Sequence, residues 1–277
     1  MRSLVCHPDC PDAKECPERS TCPNARLFEP AAWAPGPSGL ADWPRPFVLR
    51  SAHLDGRTII PGATFDFDLH VFDRQDPALV WLVLTFIEMA NRGFGPGRGR
   101  ARVETVVGLN ARGERSSSIY DSRNPAFPVM PQPITLTLGP LERPVSHVRI
   151  GFATPTELKS EERLATEPRF EVLFARIRDR ISTLRSLYGE GPLEIDFRGM
   201  AERAAHVQLS GSRLEYRSIN RRSAKTGQIS PLGGFVGEVE YTGDLAEFVP
   251  YLAAAHWTGV GRQTVWGKGA LQVLEVA

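Results

Sequence analysis

Gly259-Val260-Gly261-Arg262-Gln263-Thr264-Val265-Trp266-Gly267-Lys268-Gly269 joins the last helical stretch of the chain to its last strand. Gly259, Gly261, Gly267 and Gly269 let main-chain amides approach a bound group, and Arg262 and Lys268 add positive charge, a combination suited to a phosphate backbone. A plain glycine-rich connection is the structural alternative for such a cluster. A nucleotide P-loop is excluded. It requires four residues before its Gly-Lys pair, then Ser or Thr, all after a strand. Here five residues separate Gly261 from Gly267, Gly269 stands where the hydroxyl belongs, and the preceding segment reads as helix.

The elements leading to this loop have a counterpart earlier in the chain. From Thr64 to Phe72 the apolar Phe65, Phe67, Leu69 and Val71 alternate with Asp66, Asp68 and His70, which predicts a half-buried strand with His70 pointing outward beside the aspartates. Asp76-Pro77 opens a core helix over Ala78 to Ala90, ended by Gly93. A second glycine-rich basic loop follows, Arg92-Gly93-Phe94-Gly95-Pro96-Gly97-Arg98-Gly99-Arg100, and leads into a strand from Ala101 to Leu109. It leaves a helix rather than opening one, so a dinucleotide-binding fingerprint is excluded. Strands near Ile134–Leu138 and His147–Phe152 complete a first unit.

Phe152-Ala153-Thr154-Pro155-Thr156-Glu157-Leu158-Lys159 reads as the crossing into a second unit. Its helix, Phe170 to Tyr188, sets Phe170, Leu173, Phe174, Ile177, Ile181, Leu184 and Tyr188 on one face. Arg176, Arg178, Arg180 and Arg185 lie on the other, read as solvated. Strands follow at Ala205–Tyr216 and Gly234–Tyr241, separated by a basic turn that contains Arg221 and Arg222. Asp244 and Glu247 suggest a capping box for the final helix, with Pro250 marking a break or a late start. That helix delivers His256 to the glycine loop. Strand, helix, basic loop and strand pair thus occur twice, which predicts an α+β protein of two tandem ferredoxin-like, RNA-recognition-motif-like domains. The expected boundaries are a Cys/Pro-rich segment at 1–46, a first domain at 47–153 and a second at 154–277.

A formal charge of +1 removes any global pull on nucleic acid and leaves local patches to do the work. Six arginines between Arg92 and Arg115 face only Glu104 and Glu114, and seven basic residues from Arg198 to Lys225 face only Glu202 and Glu215. Nearly all of this charge is guanidinium, which pairs bidentately with phosphate and stacks on bases; codon usage in GC-rich coding sequence would produce the same bias. The chain has no apolar run near the roughly 20 residues of a membrane span.

Cys6, Cys10, Cys16 and Cys22 are its four cysteines, and no secretory signal precedes them. A cytoplasmic location is the expectation, and clustered thiols there serve as metal ligands more often than as disulfides. The spacing C-x3-C-x5-C-x5-C can wrap one tetrahedral ion, so a structural zinc is expected, with an iron–sulfur cluster or unbound thiols as alternatives.

Taken together, the C-terminal G-V-G-x5-G-x-G loop, RGFGPGRGR, the TPTELK junction, RRS followed by GFVGEVEY, and the cysteine segment ending Cys22-Pro23-x-x-Arg26-Leu27-Phe28-Glu29-Pro30 resemble one family over nearly the whole chain. It is the CRISPR precursor-crRNA processing endoribonucleases, the Cas-six family of the repeat-associated mysterious protein superfamily. The resemblance implies RNA held on the glycine-rich loop and in an interdomain cleft, with Gly259, Gly261, Arg262, Gly267, Lys268, Gly269, Arg98, Arg100, Arg221 and Arg222 as binding residues. It also implies metal-independent cleavage of CRISPR repeat RNA by the adjacent 2'-hydroxyl, leaving a 2',3'-cyclic phosphate and needing no catalytic cofactor. Other Cas subunits of an effector complex are implied partners. Relatives begin with a strand and helix before the cysteine segment, so the first domain is expected to lack them here. Many relatives keep their catalytic histidine just after that helix, where this chain offers His7, which is equally placed to be a metal ligand or a terminal surface residue. His256, three residues before Gly259, is the preferred catalytic candidate; a cap interaction at the helix end is its structural alternative. A non-catalytic RNA-binding subunit of the same architecture is the second functional reading, and a zinc-containing interaction module the third.

Overall fold

The computed structural model describes residues 1–6, 10, 14–30, 43–73, 78–95, 97–125, 131–160, 163–165, 167–222, 227, 229–231 and 233–277. The elements run α1 (Arg2–Val5), α2 (Pro23–Phe28), β1 (Phe47–Arg50), β2 (Asp68–Val71), α3 (Ala78–Arg92), β3 (Thr105–Leu109), β4 (Arg115–Asp121), β5 (His147–Thr156), β6 (Lys159–Ser160) and β7 (Arg163–Leu164). They continue with α4 (Phe170–Tyr188), α5 (Phe197–Ala204), β8 (Gln208–Arg217), β9 (Asn220–Arg222), β10 (Ile229–Pro231), β11 (Gly234–Thr242), α6 (Val249–Thr258) and β12 (Leu271–Val276). Two compact units result, Met1–Arg45 with Asp73–Leu136, and Pro46–Phe72 with Thr137–Ala277.

The second unit is built on β5. Its residues alternate strictly in burial, with Val148, Ile150 and Phe152 sealed from solvent, because both flanking strands bond to it and α4 and α6 cover one face. The sheet has order β12-β5-β11-β8 with antiparallel neighbours throughout. In chain order this is strand, helix, strand, strand, helix, strand, the ferredoxin-like arrangement expected for the C-terminal domain. The helix predicted at Phe170–Tyr188 has those bounds, and all seven residues assigned to its apolar face are buried. Phe248 meets both Phe170 and Phe174 edge to face, its ring 4.6 Å from that of Phe174. Burying each such ring stabilises the fold by about 1.5–3 kcal/mol. The solvated face predicted for α4 is only partly so: Arg178 is buried and donates to the carbonyl of Phe197, and Arg180 donates to that of Thr258. Helix α6 starts at Val249 with Pro250 in its first turn, so the late start holds and Asp244 is not its cap.

The boundary expected at 153/154 falls inside β5, whose ladder with β11 runs on to Thr156. The TPTELK stretch is therefore the end of a central strand and not a crossing between domains. Hairpin β1–β2 belongs to this second unit, not to the first as expected. No strand forms over 134–138; Pro131, Pro133 and Pro140 crowd the segment and deny it ladder donors, and Leu136 stays exposed. Helix α5, capped where Asp196 accepts from the amide of Gly199, takes the place of a strand start at Ala205.

The first unit contains α1, α2, α3 and the hairpin β3–β4. Arg26 on α2 pairs with Asp73, whose side chain is fully enclosed. After α3 the chain turns through a Phe94–Gly99 bridge, with Arg98 at positive φ at its tip.

Candidate active site

In β1–β2 the pairs Val48↔His70 and Arg50↔Asp68 lie opposite one another, so Arg50, Asp68, His70 and Val48 share one face of the hairpin. That face is not solvated as the alternation implied. The C-terminal end of α6 lies against it, and His70 is 8% exposed with its ring 4.8 Å from that of Trp257 and 6.1 Å from that of His256. The outward position expected for His70 is thus corrected: its polar face packs on polar groups of the helix end.

His70 Nδ1 lies 2.9 Å from the carbonyl oxygen of Trp257. A carbonyl only accepts, so Nδ1 carries the proton and Nε2 holds a lone pair in the neutral ring. Burial, reinforced by the charges of Arg50 and His256, lowers the His70 pKa to about 4, although the Trp257 bond opposes this. His256 is also lowered, first by burial and then by Arg50, while a main-chain bond to Leu271 and the charge of Asp68 pull the other way. Both imidazoles are therefore held toward neutrality, poised differently.

Arg50 joins them. One nitrogen, Nη2, donates to the carbonyl of His256 at 2.9 Å, whereas Nη1 is buried with no hydrogen-bond partner. Burial lowers its pKa to about 10, and Arg180 close by is lowered to about 10 by burial and by the charge of Arg50. Arg50, His53, Asp68, His70, Thr154, His256, Gly267 and Gln272 are among the residues lining a cleft of about 210 Å³. A wider hollow of about 560 Å³ over β8 and β11 presents Arg213, Glu215 and Arg217 but no histidine, and so lacks a group that exchanges protons near neutrality.

The glycine loop reaches this cleft only at Gly267. Its amides are used by the fold: Gly259 donates to Ala255, Val260 to the carbonyl of Gly269, Gly267 to Thr264 and Gly269 to Pro155. A Cβ on Gly261 would overlap the carbonyl of Glu157, and one on Gly269 that of Val260. Arg262 pairs with the nearly buried Glu157 at 2.6 Å. Lys268 is 5% exposed and donates to the carbonyl of Gly233 at 2.8 Å and to Gln263 Oε1 at 3.0 Å. The expected cradle is to this extent a staple that ties the end of β5 to β12.

Arg98 and Arg100 are exposed in the first unit, and Arg221 and Arg222 lie on β9. His7 falls outside the described residues. Among the described residues no three or more His, Cys, Asp or Glu side chains gather to hold a metal ion; the zinc at Cys6, Cys10, Cys16 and Cys22 stays an expectation from the sequence. Among the described residues no helix is long and apolar enough to cross a membrane.

Residues 150–271 match the family model described as CRISPR-associated endoribonuclease Cas6, and residues 1–132 match one described as an N-terminal domain. No curated protein sequence matches. A Cas6 (TTHB231) product complex is similar at 17% identity and a TM-score of 0.51, covering 91% of this chain and 88% of that one, which shows a shared fold. Thermus thermophilus Cas6 (TTHB231) is 18% identical at a TM-score of 0.37, over 48% of this chain and 55% of that one. A Cas6 (TTHA0078) product complex is 22% identical at a TM-score of 0.36; the match takes in 48% of this chain and 54%, about half, of that protein.

Proposed function

The chain belongs to the Cas6 family, and from that premise we propose that it is an endoribonuclease cutting CRISPR repeat RNA within a precursor transcript to release crRNA for other Cas subunits. The observation that carries this reading is the cleft in which two histidines of different proton affinity flank a buried guanidinium. Cleavage by the 2'-hydroxyl requires a base, an acid and a cation, and no other reactant. His70 Nε2 takes the 2'-proton as the oxygen attacks phosphorus. The bond to the 5'-oxygen breaks, and protonated His256 supplies that oxygen with a proton. The products are a 2',3'-cyclic phosphate and a free 5'-hydroxyl. His256 retains the acid–base role expected from sequence; His70 is added as its partner.

The test is incubation with the repeat RNA in EDTA, scoring for a product ending in 2',3'-cyclic phosphate. His70→Ala and His256→Ala should each lower the cleavage rate at least about 100-fold, the usual worth of a positioned acid or base, and leave RNA affinity intact. Wild-type protein that binds the repeat in a salt-sensitive manner without cutting it would establish the scaffold reading instead.

A further inference from the structure

Among the described residues only Arg98 and Gln263 hold a positive φ without being glycine. Gln263, at φ +60, opens one tight helical turn, Thr264–Trp266, and Gly267, at φ +83, closes it. Three bonds keep that shape: Trp266 N–H donates to the carbonyl of Gln263 at 3.0 Å, Gly267 N–H to that of Thr264 at 3.0 Å, and Lys268 Nζ to Gln263 Oε1 at 3.0 Å. The turn rests on β1, where a Cβ on Gly267 would stand 3.2 Å from the carbonyl oxygen of Leu49. Left-handed backbone at a residue with a side chain persists only where the surroundings enforce it, and such residues gather at ligand clamps. What this strained turn presents is an indole. Trp266 is 42% exposed, whereas tryptophan is highly buried on average. Its neighbour Gly267 lines the cleft that holds His70 and His256. A tie between β5 and β12 needs the glycines and Lys268 but gains nothing from an indole in water.

We infer that Trp266 is the stacking platform for one unpaired RNA base at the rim of this cleft. The inference rests on the endoribonuclease reading for the identity of the ligand, whereas stacking itself does not require turnover. Aromatic faces take unpaired bases with little regard to sequence, because every base has a π-face. The base must be free of its own neighbours to reach the ring, which assigns Trp266 to a single-stranded part of the repeat. Since the RNA backbone is continuous, a base held at the rim also restrains the adjoining ribose beside the imidazoles, and such restraint favours alignment of the 2'-hydroxyl. Gln263 and Lys268 act through the turn that carries the ring.

The test measures affinity for repeat RNA made uncleavable by a 2'-deoxy sugar at the scissile nucleotide, intact and with a single abasic site at each unpaired position flanking that phosphate. Trp266→Leu should weaken binding of the intact RNA at least about fivefold, the low end of the loss on removing one base–aromatic stack. One abasic position should cost the parent a similar factor and cost Trp266→Leu nothing further. Trp266→Phe, which keeps a ring, should fall between the two. A residue that only shaped the loop would weaken all the RNAs alike. Abasic penalties equal in parent and Trp266→Leu at every position would therefore overturn the platform, as would parental affinity in Trp266→Leu. Should Trp266→Leu fold poorly, Trp266→Phe carries the test alone: its smaller ring should shrink the abasic penalty at one position and at no other. A matched loss at one base in a protein that never cuts repeat RNA would keep the platform and remove the nuclease reading; cutting without any matched loss would do the reverse.

Discussion

Gly269→Ala distinguishes a loop that grips RNA from a loop that holds the fold together. Gly269 sits at φ +67, where an L side chain costs about 1–2 kcal/mol. Its new Cβ would overlap the carbonyl oxygen of Val260 and stand 2.9 Å from the carbonyl carbon, with backbone rather than a flexible side chain in the way. Relief moves the strand joint and weakens two bonds, Val260 N–H to Gly269 at 2.9 Å and Gly269 N–H to Pro155 at 3.2 Å, each worth about 0.5–1.5 kcal/mol. The sum is about 2–5 kcal/mol, or a melting-temperature drop of about 4–20 °C at ~2–4 °C per kcal/mol. Gly56→Ala is the control in the same unit: it too has positive φ, at +71, but nothing within 4 Å of the added carbon, so only the backbone cost of about 1–2 kcal/mol remains. Circular dichroism melts and filter binding of repeat RNA measure both properties. A Gly269→Ala protein melting within about 2 °C of the parent and unable to bind RNA would refute the staple and restore the phosphate cradle.

Lys268→Met should lower stability by about 1–3 kcal/mol, because the carbonyl of Gly233 and Gln263 Oε1 lose their buried donor; the slope of RNA affinity against salt should stay as in the parent, and a slope smaller by about one would show Lys268 on a phosphate. The cleavage rate should peak between the pKa of His70 at about 4 and the ordinary histidine value near 6.5, rising as His70 loses its proton and falling as His256 does; a rate still climbing above pH 8 would remove His256 as the proton donor. Folded His70 has a depressed pKa, so its contribution is complete above about 6.5 and is lost as pH falls toward 4, at up to about 1.4 kcal/mol per pH unit. Denaturant titrations of His70→Asn should lack that loss over the same window, and an identical acid slope in the variant would place the titration elsewhere.

Helix α4 was legible because its apolar residues recur at helical spacing over nineteen residues and a glycine follows. His256 was legible as a candidate for a different reason, its place at the end of the last helix beside charged loop residues. Arg50 was missed because no strand was read over residues 47–50, and His70 because it was given the wrong face. Alternation in a strand identifies two faces but not which is wet, and equating the polar face with solvent sent His70 outward. The rule fails where the polar face of a hairpin meets a helix terminus, whose carbonyls of His256 and Trp257 supply hydrogen bonds that an apolar face could not accept. The glycine loop misled for a related reason. Glycine marks a close approach of backbone to something, and here the something is the chain itself, at the carbonyls of Glu157 and Val260.

The two corrections bear on each other. With its amides and its lysine engaged, the loop fixes β12 against β5 and so sets where Leu271, Gln272 and Thr154 stand around the cleft. Arg50 and His70 arrive from a hairpin some two hundred residues away in sequence and are anchored through carbonyls at the end of α6. Those carbonyls are the ones a helix leaves without internal partners, and a cation or an N–H donor satisfies them. Two of them thus orient both the imidazole and the guanidinium. Any change that frays the last turn of α6 should therefore disarm the cleft even when His256 itself is untouched, because what fixes the tautomer of His70 and the direction of Arg50 is main chain, not side chain.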